Sequence, residues 1–266
     1  MPDPEGTGTR RTIAKSGARM IELWLVDLEA AAPALEALER DLPRLSADDH
    51  ARALRSGDAR ERRHRLAAYM GLRVVLERVV GAEVRGQRFV RGPSGKPRLA
   101  AGDVAFSLSH TDGLALIGAA RAGAIGVDLE RMRALRMSSR RREEILAVAA
   151  GLTAAPLGDP ACDEALLRAW CLLEAFAKAR DEGLSHVLTE LGLRHAGGRH
   201  LPCKQIVAAA RRLARRSGLE IADVKLPPGL HGAVAAAGLA PPLRPRRFPA
   251  DAEAIRRILS ARPSPS

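Results

Sequence analysis

The sequence predicts an α+β protein, and three observations predict it. The hydrophobic period runs helical, changes to two, turns helical again and returns to two, so the elements come as helices and strands, then a second long helix followed by strands. Strands do not alternate regularly with helices, as a doubly wound parallel sheet would require. Neither G-x-G-x-x-G after a strand nor G-x-x-x-x-G-K-[ST] occurs, so the familiar nucleotide-binding loops are missing.

The elements follow in order. Residues 20–28, from Met20 through Trp24 to Leu28, alternate roughly apolar and polar and read as a first strand. Ala34 to Glu39 suggests a short helix. Ser46 caps the next, which runs to about Ser56 with Asp48 and Asp49 in its first turn. Asp58 caps another that runs to about Val80, with Leu66, Tyr69, Met70 and Val74 at helical spacing. Val84 to Val90 and Pro97 to Leu99 read as short strands around the turn 92–96. Residues 104–109, 114–119 and 124–130 read as one antiparallel sheet, with Gly123 in the last connection. Ser138 starts a basic helix. Cys162 to Arg180 is a strongly amphipathic helix with Leu166, Ala169, Trp170, Leu173 and Phe176 on or near one stripe, and Gly183 ends it. Strands at Leu191–His195, Glu220–Val224 and Gly232–Ala237 follow, with a helix at Ile206 to Arg215. The tail holds a short helix from Asp251 to Ser260.

Four segments result: a basic, disordered extension at 1–19, an α+β half at 20–125, a second at 126–240 and a tail at 241–266. No apolar run follows Arg10 and Arg11, so a secretory signal is not expected. No window approaches the roughly 20 apolar residues of a membrane helix, so no membrane partner is expected. Cys162, Cys171 and Cys203 are odd in number and widely spaced, which points away from a disulfide framework or zinc site and towards a reducing cytoplasm. The formal charge of +12 calls for an anionic partner: nucleic acid, a phosphorylated cofactor, an acidic protein or a membrane surface. Many of the arginines are also ordinary solvated helix faces.

Asp128 and Glu130 are two apart on a strand, so both carboxylates leave one face. They read either as a strand end whose acids meet solvent, Arg131 or Arg133, or as part of a cation site. Glu174 lies one helical turn after Trp170 and one before Lys178, which makes an i,i+4 pair or a second piece of that site. Three carboxylates on two elements form a hard oxygen site suited to magnesium, and Lys178 is then placed to hold a phosphate oxygen. His110 stands where a strand ends. It is either a structural histidine or, with Ser109 and Lys96, part of a phosphate-binding set.

These residues carry a family resemblance. Gly126-Val127-Asp128-Leu129-Glu130 matches the G-[IV]-D-[IVL]-E segment of the Sfp-type 4'-phosphopantetheinyl transferases. Residues 170–179 resemble their W-[ST]-x-K-E-[AS]-x-x-K-A helix, Gly95-Lys96-Pro97 their G-K-P turn, and Ser107-Leu108-Ser109-His110 their S-[LI]-S-H strand. The four occur in family order at near-family spacing, and the resemblance covers roughly residues 20–238. It implies two similar α+β halves in a pseudo-two-fold arrangement, with coenzyme A and Mg2+ in the cleft between them, and a monomer. Asp128, Glu130 and Glu174 are implied metal ligands, and His110 and Lys178 are implied phosphate contacts. Lys96 and Ser109 are implied to help bind coenzyme A, while Arg52, His64 and Arg73 lie near positions of cofactor-binding basic groups. Glu174, Lys178 and His110 are the implied catalytic set. The implied reaction moves phosphopantetheine from coenzyme A to a serine of an acidic acyl or peptidyl carrier protein and releases adenosine 3',5'-bisphosphate.

Two departures stand beside the match. The lysine before the family's glutamate is Leu173 here, and the family's aromatic F-[FA]-x-x-x-E element is replaced by residues 144–152, which contain no aromatic. Glu143 and Glu144 are candidate bases only by proximity. The alternatives to an active transferase are a homologue that binds coenzyme A or a carrier protein without turnover, and a nucleic-acid-binding protein. The last is disfavoured by an aromatic content of 3% and by the lack of any nucleic-acid motif.

Overall fold

A computed structural model describes residues 21–92, 94–121, 123–193 and 201–261, in a mixed α+β fold. The extension at 1–19 and the far end of the Leu191–His195 strand lie outside the described residues.

Strand β1 (Ile21–Asp27) ends at an aspartate that caps helix α1 (Leu28–Asp41), accepting from Ala30 N at 3.0 Å. The helix is longer than Ala34–Glu39 because that cap, not Pro33, sets its start. Pro33 sits inside and only removes one ladder bond. Helix α2 (Ala47–Ala53) begins in a capping box, with Ser46 and Asp49 each satisfying the other's backbone N–H. Helix α3 (Ala59–Val79), capped by Asp58, is the spine of the first layer. Its Val74, Val75, Leu76 and Ala67 are all buried against β1 and the strands that follow.

The expected strand at Val84–Val90 is instead a single 3-10 turn, Ala82–Val84, leading into an irregular stretch. Only β2 (Val90–Arg91) pairs, with β3 (Pro97–Arg98), across the 92–96 turn. Strands β4 (Val104–Thr111) and β5 (Leu114–Arg121) are antiparallel neighbours, and β5 also pairs with β1.

β6 (Ile125–Arg131) does not join them as the sequence suggested. It begins a second sheet with the order β6-β8-β7, where β7 is Glu220–Asp223 and β8 is Leu230–Ala236. The reason is local. β6 spends its backbone on β8, while two serines on alternate positions of β4 stitch it to the first sheet from the side. Ser107 Oγ accepts from Val127 N at 3.1 Å, and Ser109 Oγ donates to Asp128 Oδ1 at 2.9 Å. An apolar cluster of Leu23, Leu116, Ile125, Val127, Leu129 and Val234 fills the seam. Burial of such side chains is worth about 1.5–3 kcal/mol each.

Helix α4 (Ser139–Thr153), capped by Ser138, and helix α5 (Asp163–Ala179) cover the second sheet together with α7 (Cys203–Ser217). The short α6 (Leu184–Glu190) ends where the Leu191–His195 strand was expected to begin, and a turn stands at its first two positions. Leu191 closes that helix, and Gly192 turns the chain at φ +75°. The chain then returns to the first layer. β9 (Arg246–Arg247) runs parallel to β1, completing the order β4-β5-β1-β9, and α8 (Ala252–Ser260) seats Ile255 in the first core.

Candidate functional site

Gly126 explains how the site is assembled. A Cβ there would run into the backbone of α5 at Ala175 O and Ala179 N, so only glycine lets β6 lie flush on that helix. The next alternate positions, Asp128 and Glu130, then emerge beside Glu174 and Lys178, one turn apart on α5.

Asp128 is 4% exposed. Its Oδ1 accepts from Lys178 Nζ at 2.6 Å and from Ser109 Oγ, while its buried Oδ2 has no hydrogen-bond partner among the described residues. Lys178 also donates to Val127 O at 3.2 Å. Its carboxylate partner is therefore Asp128 across the seam, not Glu174 one turn back. Burial raises the Glu174 carboxyl above its ordinary range. Lys178 pulls it back, and Asp128 and Glu130 push it further up. The same negative surroundings, after burial, push the thiol of Cys171 up. Glu130 pairs with Arg133, as the plain strand-end reading has it.

Among the described residues, no group of three or more His, Cys, Asp or Glu side chains is arranged to hold a metal ion. The expected trio of Asp128, Glu130 and Glu174 is not such a group, and Lys178 and Arg133 pair with two of its carboxylates. The donor chemistry nevertheless fits a hard dication. All three donors are carboxylates, they are close enough to raise Glu174, and one buried oxygen lacks a hydrogen-bond donor.

Beside this cluster lies a cavity of about 540 Å³ between α3, β4, the 92–96 turn and α5. His110, Lys96, Glu174 and Lys178 reach it, as do Arg65 and Arg91. His110 Nε2 lies 3.3 Å from Glu61 Oε1, which also accepts from Arg65 at 2.7 Å. These contacts hold Glu61 below its usual range, the Arg65 bond first. Lys96 turns its ammonium onto two backbone carbonyls, Ile125 O and Lys178 O, each at 2.7 Å. Burial lowers its pKa to about 8, against the pull of Asp181, with Arg98 and Lys178 adding to the fall.

The three weaker basic positions are not brought together there. Arg73 is 1% exposed, and its guanidinium is spent on Asp49, Ser46 Oγ, Val84 O and Gln87 O. His64 is buried against Glu29 at 2.8 Å. Arg52 lines a separate shallow groove with Arg88 and Arg91. Arg91 joins that groove to the main cavity, and burial and then the facing Arg52 lower its pKa. Sequence reasoning missed Arg91, Arg65 and Glu61. The alternation around the 92–96 turn is the one signal that pointed towards Arg91. Glu144 is buried and held by Arg140 and Arg141, and neither it nor Glu143 reaches the cavity.

A cavity rimmed by arginines and lysines, next to clustered carboxylates on an α+β scaffold, has the chemistry of an enzyme that handles a polyanion. No family model matches the chain. Over 177 residues, 62% of the chain, it is 30% identical to the 4'-phosphopantetheinyl transferase HetI of Nostoc sp., and the match covers 70% of that protein. The chain belongs to the 4'-phosphopantetheinyl transferase family. Among the described residues, no helix is long and apolar enough to cross a membrane.

Proposed function

We propose that the protein is an Sfp-type transferase, with two related α+β halves, that moves 4'-phosphopantetheine from coenzyme A to a serine of an acyl or peptidyl carrier protein. The observation that carries this is the seam between β6 and α5. It sets Asp128, with its unpartnered Oδ2, against Lys178 and beside Glu174 at the wall of a cationic cavity. In the reaction the serine oxygen forms a bond to the β-phosphorus. The bond from that phosphorus to the bridging oxygen breaks, and its electron pair leaves with adenosine 3',5'-bisphosphate. Lys178 and His110 would meet phosphate oxygens, and Arg65 and Arg91 line the same cavity. Asp128, Glu130 and Glu174 are the residues that would hold Mg2+, which when bound neutralises diphosphate charge. Glu174 faces the cavity as one of these ligands, and the serine proton leaves to solvent. The +12 charge favours an acidic carrier protein through steering.

The test is intact-mass analysis of a panel of apo carrier proteins incubated with coenzyme A and Mg2+. One serine of a carrier gains the phosphopantetheine mass with the native protein and gains none with Asp128→Ala. No gain on any carrier overturns the reading.

A second reading, a homologue that binds without turnover, is favoured by Leu173. This residue stands where the family has lysine and is fully buried in the core of the second layer. Coenzyme A binding in calorimetry without carrier modification selects it.

A further inference from the structure

We propose that Asp181 is a positioning residue that latches the 92–96 turn onto the end of α5 and thereby sets how tightly the cleft holds its ligand. The ligand named here rests on the function proposed above.

Helix α5 ends with Glu182 N bonded to Ala177 O at 3.1 Å and Asp181 N bonded to Lys178 O at 3.2 Å. This pair of bonds places Asp181 at the position that helices with this ending usually give to glycine, and its φ is +55°. A side chain held there works against its own backbone preference. It is also charged and 8% exposed. The carboxylate does nothing for its own helix. Among the described residues, its side-chain hydrogen bonds come from Ser94 Oγ at 2.5 Å and from the Arg98 guanidinium, both across the cleft rim. Gly92 is pressed against the same carboxylate, where a Cβ would collide with it.

Ser94, Gly95, Lys96 and Pro97 form one wall of the main cavity, while Arg98 and Asp181 line a smaller one of about 260 Å³ behind the turn. The turn closes on itself through Gly92 N to Lys96 O at 3.0 Å and Gly95 N to Gly92 O at 2.9 Å. The Lys96 ammonium is fixed to Ile125 O and Lys178 O. Asp181 therefore anchors the tip and the far strand of a hairpin whose middle lysine is already tied to the second layer. Released from Asp181, the tip keeps its two backbone bonds, the Arg91 bond to Gly95 O, the bond from Lys96 N to Ser94 Oγ and the lysine, all of them within the hairpin except the lysine's.

Asp181→Gly tests this, because it removes the carboxylate and relieves the backbone at the same position, so the variant folds. In the free protein, amide hydrogen exchange at Gly92 and Gly95 should accelerate by about tenfold, and calorimetry should show coenzyme A binding weakened by about tenfold. The thermal midpoint should stay or rise. Ser94→Ala should give a smaller change in the same direction. Unchanged exchange overturns the latch, and faster exchange with unchanged affinity overturns its link to the cleft. If the native protein itself binds no coenzyme A, the proposed function fails, and the exchange rates alone then decide whether the latch exists.

Discussion

Two acid–base pairs, Arg73 with Asp49 in the first layer and Lys178 with Asp128 in the second, both have a buried acid and differ in completeness. In the first, Asp49 Oδ2 receives Ser46 N, Ser46 Oγ and two guanidinium nitrogens of Arg73, whose remaining donors go to carbonyls. In the second, Asp128 gives one oxygen to Lys178 and Ser109 and leaves the other buried and unpartnered. A closed network is what a fold keeps for itself. An open one carries an electrostatic deficit that a ligand can fill. Both pairs contain a residue that sequence resemblance nominated for the site. Both pairs touch the cavity, the first through Asp49 and the second through Lys178, but only the second has a buried oxygen without a donor among the described residues.

Four substitutions break or sharpen this contrast, in falling order of effect. Arg73→Leu strands the Asp49 carboxylate in the interior and should cost about 3–5 kcal/mol in urea unfolding. Asp128→Asn should do the reverse. Transfer to a carrier protein should fall by about 10²–10³, measured by product formation, while the unfolding midpoint stays within error or rises. Equal stability losses for the two variants would erase the distinction. Leu173→Lys places an ammonium in the sealed core of the second layer, and unfolding should show a loss of about 3 kcal/mol with no gain in transfer. A gain would mean that α5 rotates to expose that position.

Lys96→Met gives the smallest effect, and its sign depends on pH. The folded pKa of about 8 lies below the ordinary 10.5, so the unfolded chain binds more protons between these values and native stability climbs with pH across that window. The variant should therefore gain on the native protein, by about 1–3 kcal/mol, as pH falls from 10.5 to 8 and no further below it. A stability difference that is flat across this range would show that the amine is solvated.

Much of the fold was legible because caps and periodicity agree. Ser46, Asp58 and Ser138 each cap the helix assigned to them, and Cys162 to Arg180 is one helix to within a residue at each end. The sheet partners were not legible. Residues 104–130 read as three consecutive strands, yet β6 takes β8, more than a hundred residues on, because alternation fixes which face a strand buries and not which neighbour it bonds. The segment 84–90 failed for a related reason. Its apolar residues Val84 and Phe89 are buried without a ladder, Phe89 under the guanidinium of Arg73. Asp128, Glu174 and Lys178 were legible as a set, since spacing on a strand and on a helix fixes their faces. What spacing does not encode is which partner each charge takes. Lys178 chose the strand, and Lys96 chose two carbonyls.

The return of the chain to its own beginning has a consequence for biosynthesis. Strand β1 lacks its outer neighbour until Arg246 and Arg247 leave the ribosome, and Arg78 waits for the carbonyls of Ile258 and Ala261. Until residues 246–261 emerge, the first layer therefore presents a bare strand edge, with Phe248 and Ile255 missing from its interior. A ribosome stalled before residue 246 should hold a nascent chain that is protease-sensitive and engaged by chaperones, and emergence of residues 246–261 should protect the first layer in one step.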